Sequence, residues 1–293
     1  MNVISFEKIC RLFPARGKDS HKGHFGHLLC ITGSVRMPGA ACMSSQAALR
    51  CGVGLLTTAS AAQNIPILAA QCWESMYLPL HTDENGFLTW HRNEEILSDA
   101  VRKADAVLIG CGLGQTRGTA QLLANIIRIT EVPLIVDADG LNLLASSIDM
   151  IMGGKASVIL TPHPGEMSRL VKCSVQEVQQ NRETVLRTFC GTLPGTVVTL
   201  KGHETLVGQD TVLWKNSTGN PGMSKGGSGD VLAGMIASFA AQGIAPADAA
   251  CAGVYMHGMA GDIAAKRYSQ AAMLPRNLID CIAEVFLKIE EQQ

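Results

Sequence analysis

The sequence predicts a three-layer α/β/α fold around a central, mostly parallel sheet, and two observations carry that prediction. Short runs rich in Val, Ile and Leu alternate with longer amphipathic or small-residue stretches, the rhythm of βα units rather than of an antiparallel sandwich. Most of these runs are apolar throughout, as strands are when helices cover both faces of a sheet. The chain has 293 residues, 47% hydrophobic and 17% charged, enough to bury a large core. Its formal net charge of −1 excludes a polybasic nucleic-acid wrapper, and its hydrophobic content excludes a disordered tail.

The elements follow in order. The first strand, 27–32, reads His-Leu-Leu-Cys-Ile-Thr and ends at Gly33; a small-residue helix is expected over 39–50. Further strands are expected at 54–59, 106–109, 134–137, 158–161 and 196–200, with helices at 94–103, 119–130 and 175–189. After residue 205 the texture changes, and segments 205–207 and 211–214 around Gly208-Gln209-Asp210 read as a hairpin. The last third is helical at 229–241, 247–266 and 277–290, with Pro246 and Pro275 just before two of the starts. Residues 1–20 read as a lead segment and 21–293 as a single domain.

The ten cysteines show no CxxC pair and no metal-knuckle spacing, so they read as reduced thiols used as small hydrophobes. The N-terminus lacks the apolar stretch and cleavage site of a secretory signal, and no run reaches the roughly 18 apolar residues of a membrane span. A soluble cytoplasmic protein that engages neither membrane nor nucleic acid is expected.

Thirty glycines against 4% aromatic residues imply many close backbone approaches. The densest group is Asn220-Pro-Gly-Met-Ser-Lys-Gly-Gly-Ser-Gly-Asp230, which runs directly into the apolar stretch Val231-Leu-Ala-Gly-Met-Ile-Ala. Glycines there let backbone N–H groups converge, and the helix N-terminus adds about half a positive charge, which suits a phosphate. This is not a Walker A loop, because Lys225 precedes the glycines. Asp230 could cap the helix, or could take a proton from a hydroxyl attacking phosphorus. Two further glycine turns follow strands, Ile109-Gly-Cys-Gly-Leu-Gly114 and Gly33-Ser-Val-Arg-Met-Pro-Gly-Ala40; neither fits GxGxxG.

Polar residues cluster at other strand ends. Leu134-Ile-Val-Asp-Ala-Asp139 ends in two carboxylates, prolines bracket His163 in Thr161-Pro-His-Pro-Gly-Glu166, and Lys201-Gly-His-Glu-Thr205 places a cation beside a glycine. Each has a plain structural alternative: a cap for Asp139, a core histidine, a solvated hairpin edge. His21, His24 and His27 lack a carboxylate or cysteine at metal-ligand spacing.

Taken together, these motifs resemble the ADP- or ATP-dependent NAD(P)H-hydrate dehydratases of the ribokinase-like superfamily. The resemblance runs from about Lys22 to the C-terminus and is carried by Lys22–His27, Gly39-Ala40, 49–54, Gly110–Gly114, Val136–Asp139, Thr161–Glu166, Lys201–Thr205, Asn216–Asn220 and Lys225–Asp230. It implies a ribokinase-like domain, without the epimerase domain of longer relatives, that repairs hydrated NAD(P)H. The C6 hydroxyl of the S form is phosphorylated from ADP or ATP, and phosphate is then eliminated.

By matching position, Asp230 is the implied base on the C6 hydroxyl, and Gly226, Gly227 and Gly229 form the anion hole. Lys201, Gly202, His203, Glu204, Thr205, Asn220, Lys225, Gly226 and Gly229 are implied nucleotide contacts. Ala40, Gly112, Gly114, His163 and Asp230 are implied contacts of the hydrated dinucleotide. Mg²⁺ is implied without identified ligands, Glu166 and Asp137 being candidates, and so are a homotetramer and a separate NAD(P)H-hydrate epimerase partner. Ser228 stands where the family has Thr, and Cys111 where it has Pro. Two alternatives remain at this point, a ribokinase-like alcohol kinase with the same base and a nucleotide-sensing module that needs no base.

Overall fold

Ten strands form one sheet in the computed structural model, which describes residues 1–293. They are β1 (Asn2–Val3), β2 (His27–Ile31), β3 (Leu55–Ala61), β4 (Met76–Leu80), β5 (Ala106–Ile109), β6 (Leu134–Val136), β7 (Val158–Leu160), β8 (Val197–Leu200), β9 (Leu206–Gln209) and β10 (Val212–Lys215). Their spatial order is β1-β10-β9-β8-β7-β6-β5-β2-β3-β4. From β4 to β8 all neighbours are parallel; β9 is antiparallel to β8 and β10, and β1 joins the far edge parallel to β10. The register aligns the carboxyl ends on one rim, with Ile31 opposite Ile109, Ile109 opposite Val136 and Val136 opposite Leu160.

The unbroken apolar strands are explained by two cores. Leu28, Cys30, Leu108, Ile135 and Ile159 enter one core with α1 (Phe6–Leu12), α2 (Pro38–Arg50), α10 (Ser228–Ala241), α11 (Pro246–Ala272) and α12 (Pro275–Glu290). The alternate residues Leu29, Ile31, Val107, Ile109, Val136 and Leu160 enter the other. That second core is closed by α4 (Glu94–Arg102), α5 (Arg117–Ile129), α6 (Asp139–Leu144), α7 (Pro164–Val171), α8 (Val175–Gln180) and α9 (Arg182–Thr192), while the short α3 (Ile65–Ala69) links β3 to the edge strand β4. These are the three layers the sequence predicts.

Helices α2 and α10 pack so closely that a Cβ on Gly234 would lie 2.1 Å from the carbonyl oxygen of Ser44. That oxygen is backbone, so Gly234→Ala must separate the helices. A loss of about 1–3 kcal/mol is expected, read as a lower denaturation midpoint at an unchanged m-value.

All six expected strands form. Those drawn to 32, 137 and 161 end one residue earlier, because Thr32, Asp137 and Thr161 turn from the ladder into the rim. The hairpin forms as 206–209 and 212–215, with Asp210 at φ 50° in its turn. Residues 1–20, read as a lead segment, supply β1 and α1, and Ile4 and Ile9 are fully buried in the first core. Strand β4 escapes the pattern because its Pro79 suits only an edge strand, and β4 is one. The helix expected over 175–189 is two, parted at Asn181. The helix expected to end at 266 runs to Ala272, broken at Ser269 with φ 64° and ψ 156°. A non-glycine residue in that region costs on the order of 1–3 kcal/mol. No helix is long and apolar enough to cross a membrane. All ten cysteines are free, and seven of them are buried.

Candidate active site

The rim of the parallel strands carries a buried ion cluster. Asp137, the first residue after β6, is 1% exposed, and its Oδ1 accepts from Thr161 Oγ1 at 2.6 Å and from Lys201 Nζ at 2.7 Å. Cys111 Sγ, after β5, lies 3.6 Å from Asp137 Oδ2. Lys201, after β8, also stands 3.7 Å from Glu166 Oε2, so one ammonium is shared between two buried carboxylates. Burial works against the charged Lys201, but Asp137 and Glu166 outweigh it and hold the amine above its ordinary range. Burial raises Glu166 to about 7, against the pull of Lys201.

Helix α10 descends on this cluster. A Cβ built on Gly229 would be 3.3 Å from Lys201 Nζ and 3.9 Å from Asp137 Oδ2. The N-cap is Gly227, held at φ 100°, where an added Cβ would meet Met43 Sδ at 2.3 Å. It offers no side-chain cap. Asp230 is therefore not the cap but the third residue of the helix. The backbone N–H groups of Gly226, Gly227, Gly229 and Asp230 find no acceptor within the chain. These are the orphan donors of a helix start, left free in a turn that opens on a cleft.

Asp230 faces the cluster, with its carboxylate, the Cys111 sulfur and the Asp137 carboxylate all within 4.8 Å of one another. Burial, reinforced by Asp137, pushes its carboxyl up to about 6. Burial also drives the Cys111 thiol well above its usual range, with Asp230 and Asp137 acting the same way, so this sulfur stays protonated.

One cleft of about 610 Å³ collects most of the expected residues: His163, Lys201 to Thr205, Asn220, Lys225, Gly226, Gly227, Gly229 and Asp230. Ala40, Gly112 and Gly114 lie outside it, across Cys111. A Cβ on Gly112 would be 2.8 Å from that of Ala40, and Gly114 abuts Phe87 while donating its N–H to Asp139 Oδ2 at 2.8 Å. The two groups adjoin at Cys111, the neighbour of Gly112 in the chain, whose sulfur lies within 4.8 Å of the Asp137 and Asp230 carboxylates that line the cleft.

His163 has a structural duty as well. Its Nδ1 accepts from Gly165 N–H at 2.9 Å and Glu166 N–H at 3.3 Å, capping α7, so the ring proton belongs on Nε2, 3.3 Å from Glu166 Oε1. Glu166 completes the capping box by accepting from His163 N–H at 2.8 Å. Of the bracketing prolines, Pro164 is thereby accounted for, as the first residue of the helix. Asn220 and Lys225 are engaged elsewhere: Asn220 Nδ2 donates to Asp262 at 2.9 Å, and Lys225 Nζ donates to the carbonyls of Ala271 and Met273.

Sequence reasoning missed His257. It lines the cleft from α11, is 8% exposed, and its Nε2 has no partner; burial lowers its pKa to about 4, so the ring is neutral. The Ser228 hydroxyl is likewise buried and unpartnered. A histidine in the middle of an alanine-rich helix gives no sequence signal of this.

The profile of the family described as NAD(P)H-hydrate dehydratase matches residues 28–284. The chain belongs to that family. A bifunctional NAD(P)H-hydrate repair enzyme of Moorella thermoacetica is 37% identical over 95% of this chain. The chain spans about half the length of such bifunctional relatives, 52% in that case. An ADP-dependent (S)-NAD(P)H-hydrate dehydratase of Neisseria meningitidis is 36% identical over 86% of this chain and 81% of its own length. A crystal structure of the ADP/ATP-dependent NAD(P)H-hydrate dehydratase of Bacillus subtilis, co-crystallised with ATP/Mg²⁺, superposes with a TM-score of 0.82 at 29% identity, covering 98% of both chains. Its three-layer fold is shared by this NAD(P)H-hydrate dehydratase family chain from end to end.

Proposed function

We propose that the protein is a dehydratase that converts the S form of hydrated NAD(P)H to NAD(P)H, consuming ADP, or ATP, to AMP, or ADP, and phosphate. The observation that carries this reading is the uncapped start of α10, where free N–H donors stand beside a base-capable Asp230 over a shared Lys201. The reading is supported by the names of two relatives, an ADP-dependent (S)-NAD(P)H-hydrate dehydratase in N. meningitidis and an ADP/ATP-dependent NAD(P)H-hydrate dehydratase in B. subtilis.

Ionised Asp230 takes the proton of the C6 hydroxyl as that oxygen attacks the terminal phosphorus. The bond from phosphorus to the nucleotide's bridging oxygen breaks, and the charge spreading over the phosphoryl oxygens is met by the N–H groups of Gly226, Gly227 and Gly229. Phosphate, unlike hydroxide, then leaves C6 readily; loss of a proton from C5 restores the C5=C6 double bond. Lys201 to Thr205 line the AMP portion of the nucleotide, with Asn220 and Lys225 on the same wall. His163, on the cleft wall, and Ala40, Gly112 and Gly114, beside the cleft, hold the dinucleotide.

The donor set suits Mg²⁺ bound chiefly through nucleotide phosphates. Asp137 Oδ1 is taken by Thr161 and Lys201 and both Glu166 oxygens face His163 and Lys201, but Asp137 Oδ2, met only by the Cys111 thiol, and the Asp230 carboxylate are hard oxygens of the kind Mg²⁺ prefers. Mg²⁺ supplies charge neutralisation on the polyphosphate when bound. The resemblance further carries a cytoplasmic homotetramer that works alongside a separate epimerase; light scattering measures the assembly.

The test is regain of dihydronicotinamide absorbance from hydrated NADH or NADPH with ADP and Mg²⁺, while AMP accumulates. No regain, with ADP formed from ATP and another alcohol, would establish a simple kinase instead. With the base raised to about 6, kcat/KM should be level at neutral pH and fall about tenfold per unit below pH 6 as Asp230 takes up its proton.

A further inference from the structure

The glycine turn is fastened to α11 at two places. Asp262 on α11 accepts from Gly219 N–H at 3.0 Å and from Asn220 Nδ2 at 2.9 Å. Farther along, Lys225 Nζ donates to Ala271 O at 2.6 Å and Met273 O at 2.7 Å. Between these points the turn lies flat on the helix, since a Cβ on Gly222 would be 2.7 Å from Gln270 O. Lys225 is the only hydrogen-bond partner of those two carbonyls. They are free to meet it because the break at Ser269 ends the regular ladder of α11, and Pro275 has no N–H to offer Ala271.

We infer that Lys225 is a positioning residue that anchors the phosphoryl-binding turn to the broken end of α11 and does not itself bind phosphate. Two of its three donors are committed to the backbone carbonyls at the broken end of α11. The next two residues, Gly226 and Gly227, carry free N–H groups but no side chains with which to hold themselves. The tether sets where those donors point, so its loss misdirects them without removing them. This rests on reading the turn as the phosphoryl site.

The test is Lys225→Met in the full chain, read by amide hydrogen exchange, by ADP and AMP affinity, and by turnover. Faster exchange across 268–274 and 219–227 is expected, with a fall in kcat of about 10²-fold and ADP affinity within about twofold of the unmodified chain. Lys225→Arg, which can still fork two carbonyls, should restore slow exchange and most of the turnover. ADP affinity falling about tenfold with AMP affinity unchanged would make Lys225 a phosphate ligand and overturn the inference. Unchanged exchange would overturn it as well. If Lys225→Met does not fold, Lys225→Gln, which keeps a polar end but removes the ammonium that holds both carbonyls, is read by the same measurements and judged by the same outcomes. Exchange and affinity need no turnover, so an unmodified chain inactive on hydrated NAD(P)H would fault the dehydratase reading alone.

Discussion

Asp230→Asn is expected to lower turnover of hydrated NAD(P)H by about 10²–10⁴-fold while leaving ADP affinity within about twofold. The amide keeps the size of the side chain and the start of α10, whose N–H donors come from backbone. It cannot take the hydroxyl proton. The loss is therefore confined to chemistry, and isothermal titration of ADP beside initial-rate kinetics separates the two. Because the carboxylate is partly buried against Asp137 and already raised to about 6, removing its charge also relieves a repulsion, so the variant should melt no lower than the parent near neutral pH. A parallel collapse of binding and rate would mean that Asp230 holds the turn together.

Lys201→Met should have the largest effect on stability. The lysine side chain is 16% exposed and faces carboxylates that are 1% and 5% exposed; without it Asp137 and Glu166 lose their shared cation. Breaking a buried pair from one side costs about 3–5 kcal/mol, which in a chain of this size is a fall in Tm of roughly 5–15 °C. The pH dependence has a definite sign. Burial already holds Glu166 at about 7, above its unfolded value, and without the ammonium the pull that opposes burial is gone. The folded variant then binds protons more readily than the unfolded chain, so it regains stability as pH falls towards 5 and is weakest above 7. Equal melting losses at pH 5 and pH 8 would show that lost packing rather than lost charge is responsible. Nucleotide binding should weaken too, since Lys201 lies on the cleft wall.

The layered fold was legible because its strands are buried on both faces and so read as apolar at every position, Leu28 to Ile31 being the clearest case. Strands β1 and β4 were not, because a strand of two residues has no period and Pro79 argues against a strand unless its edge position is known. In the site, the glycine turn and the three polar strand ends could be picked out because each breaks an apolar run. What a linear reading cannot supply is which of them meet. That Lys201 lies between Asp137 and Glu166 depends on the order of β6, β7 and β8. The neutral His257 and the engagement of Lys225 depend on how α11 crosses the turn. Of the two prolines around His163, Pro164 has a local cause, the start of α7.

The free N–H groups at the head of α10 have a consequence for how the cleft attracts its ligands. They are dipoles, with fields that are strong at contact and die away within a turn of helix, and they gather no atmosphere of mobile counter-ions. Nucleotide affinity should therefore follow the shape of the turn more than the ionic strength of the medium. A polyanion here is captured at short range by geometry, not drawn in from a distance by net charge, which suits a molecule whose formal charge is −1.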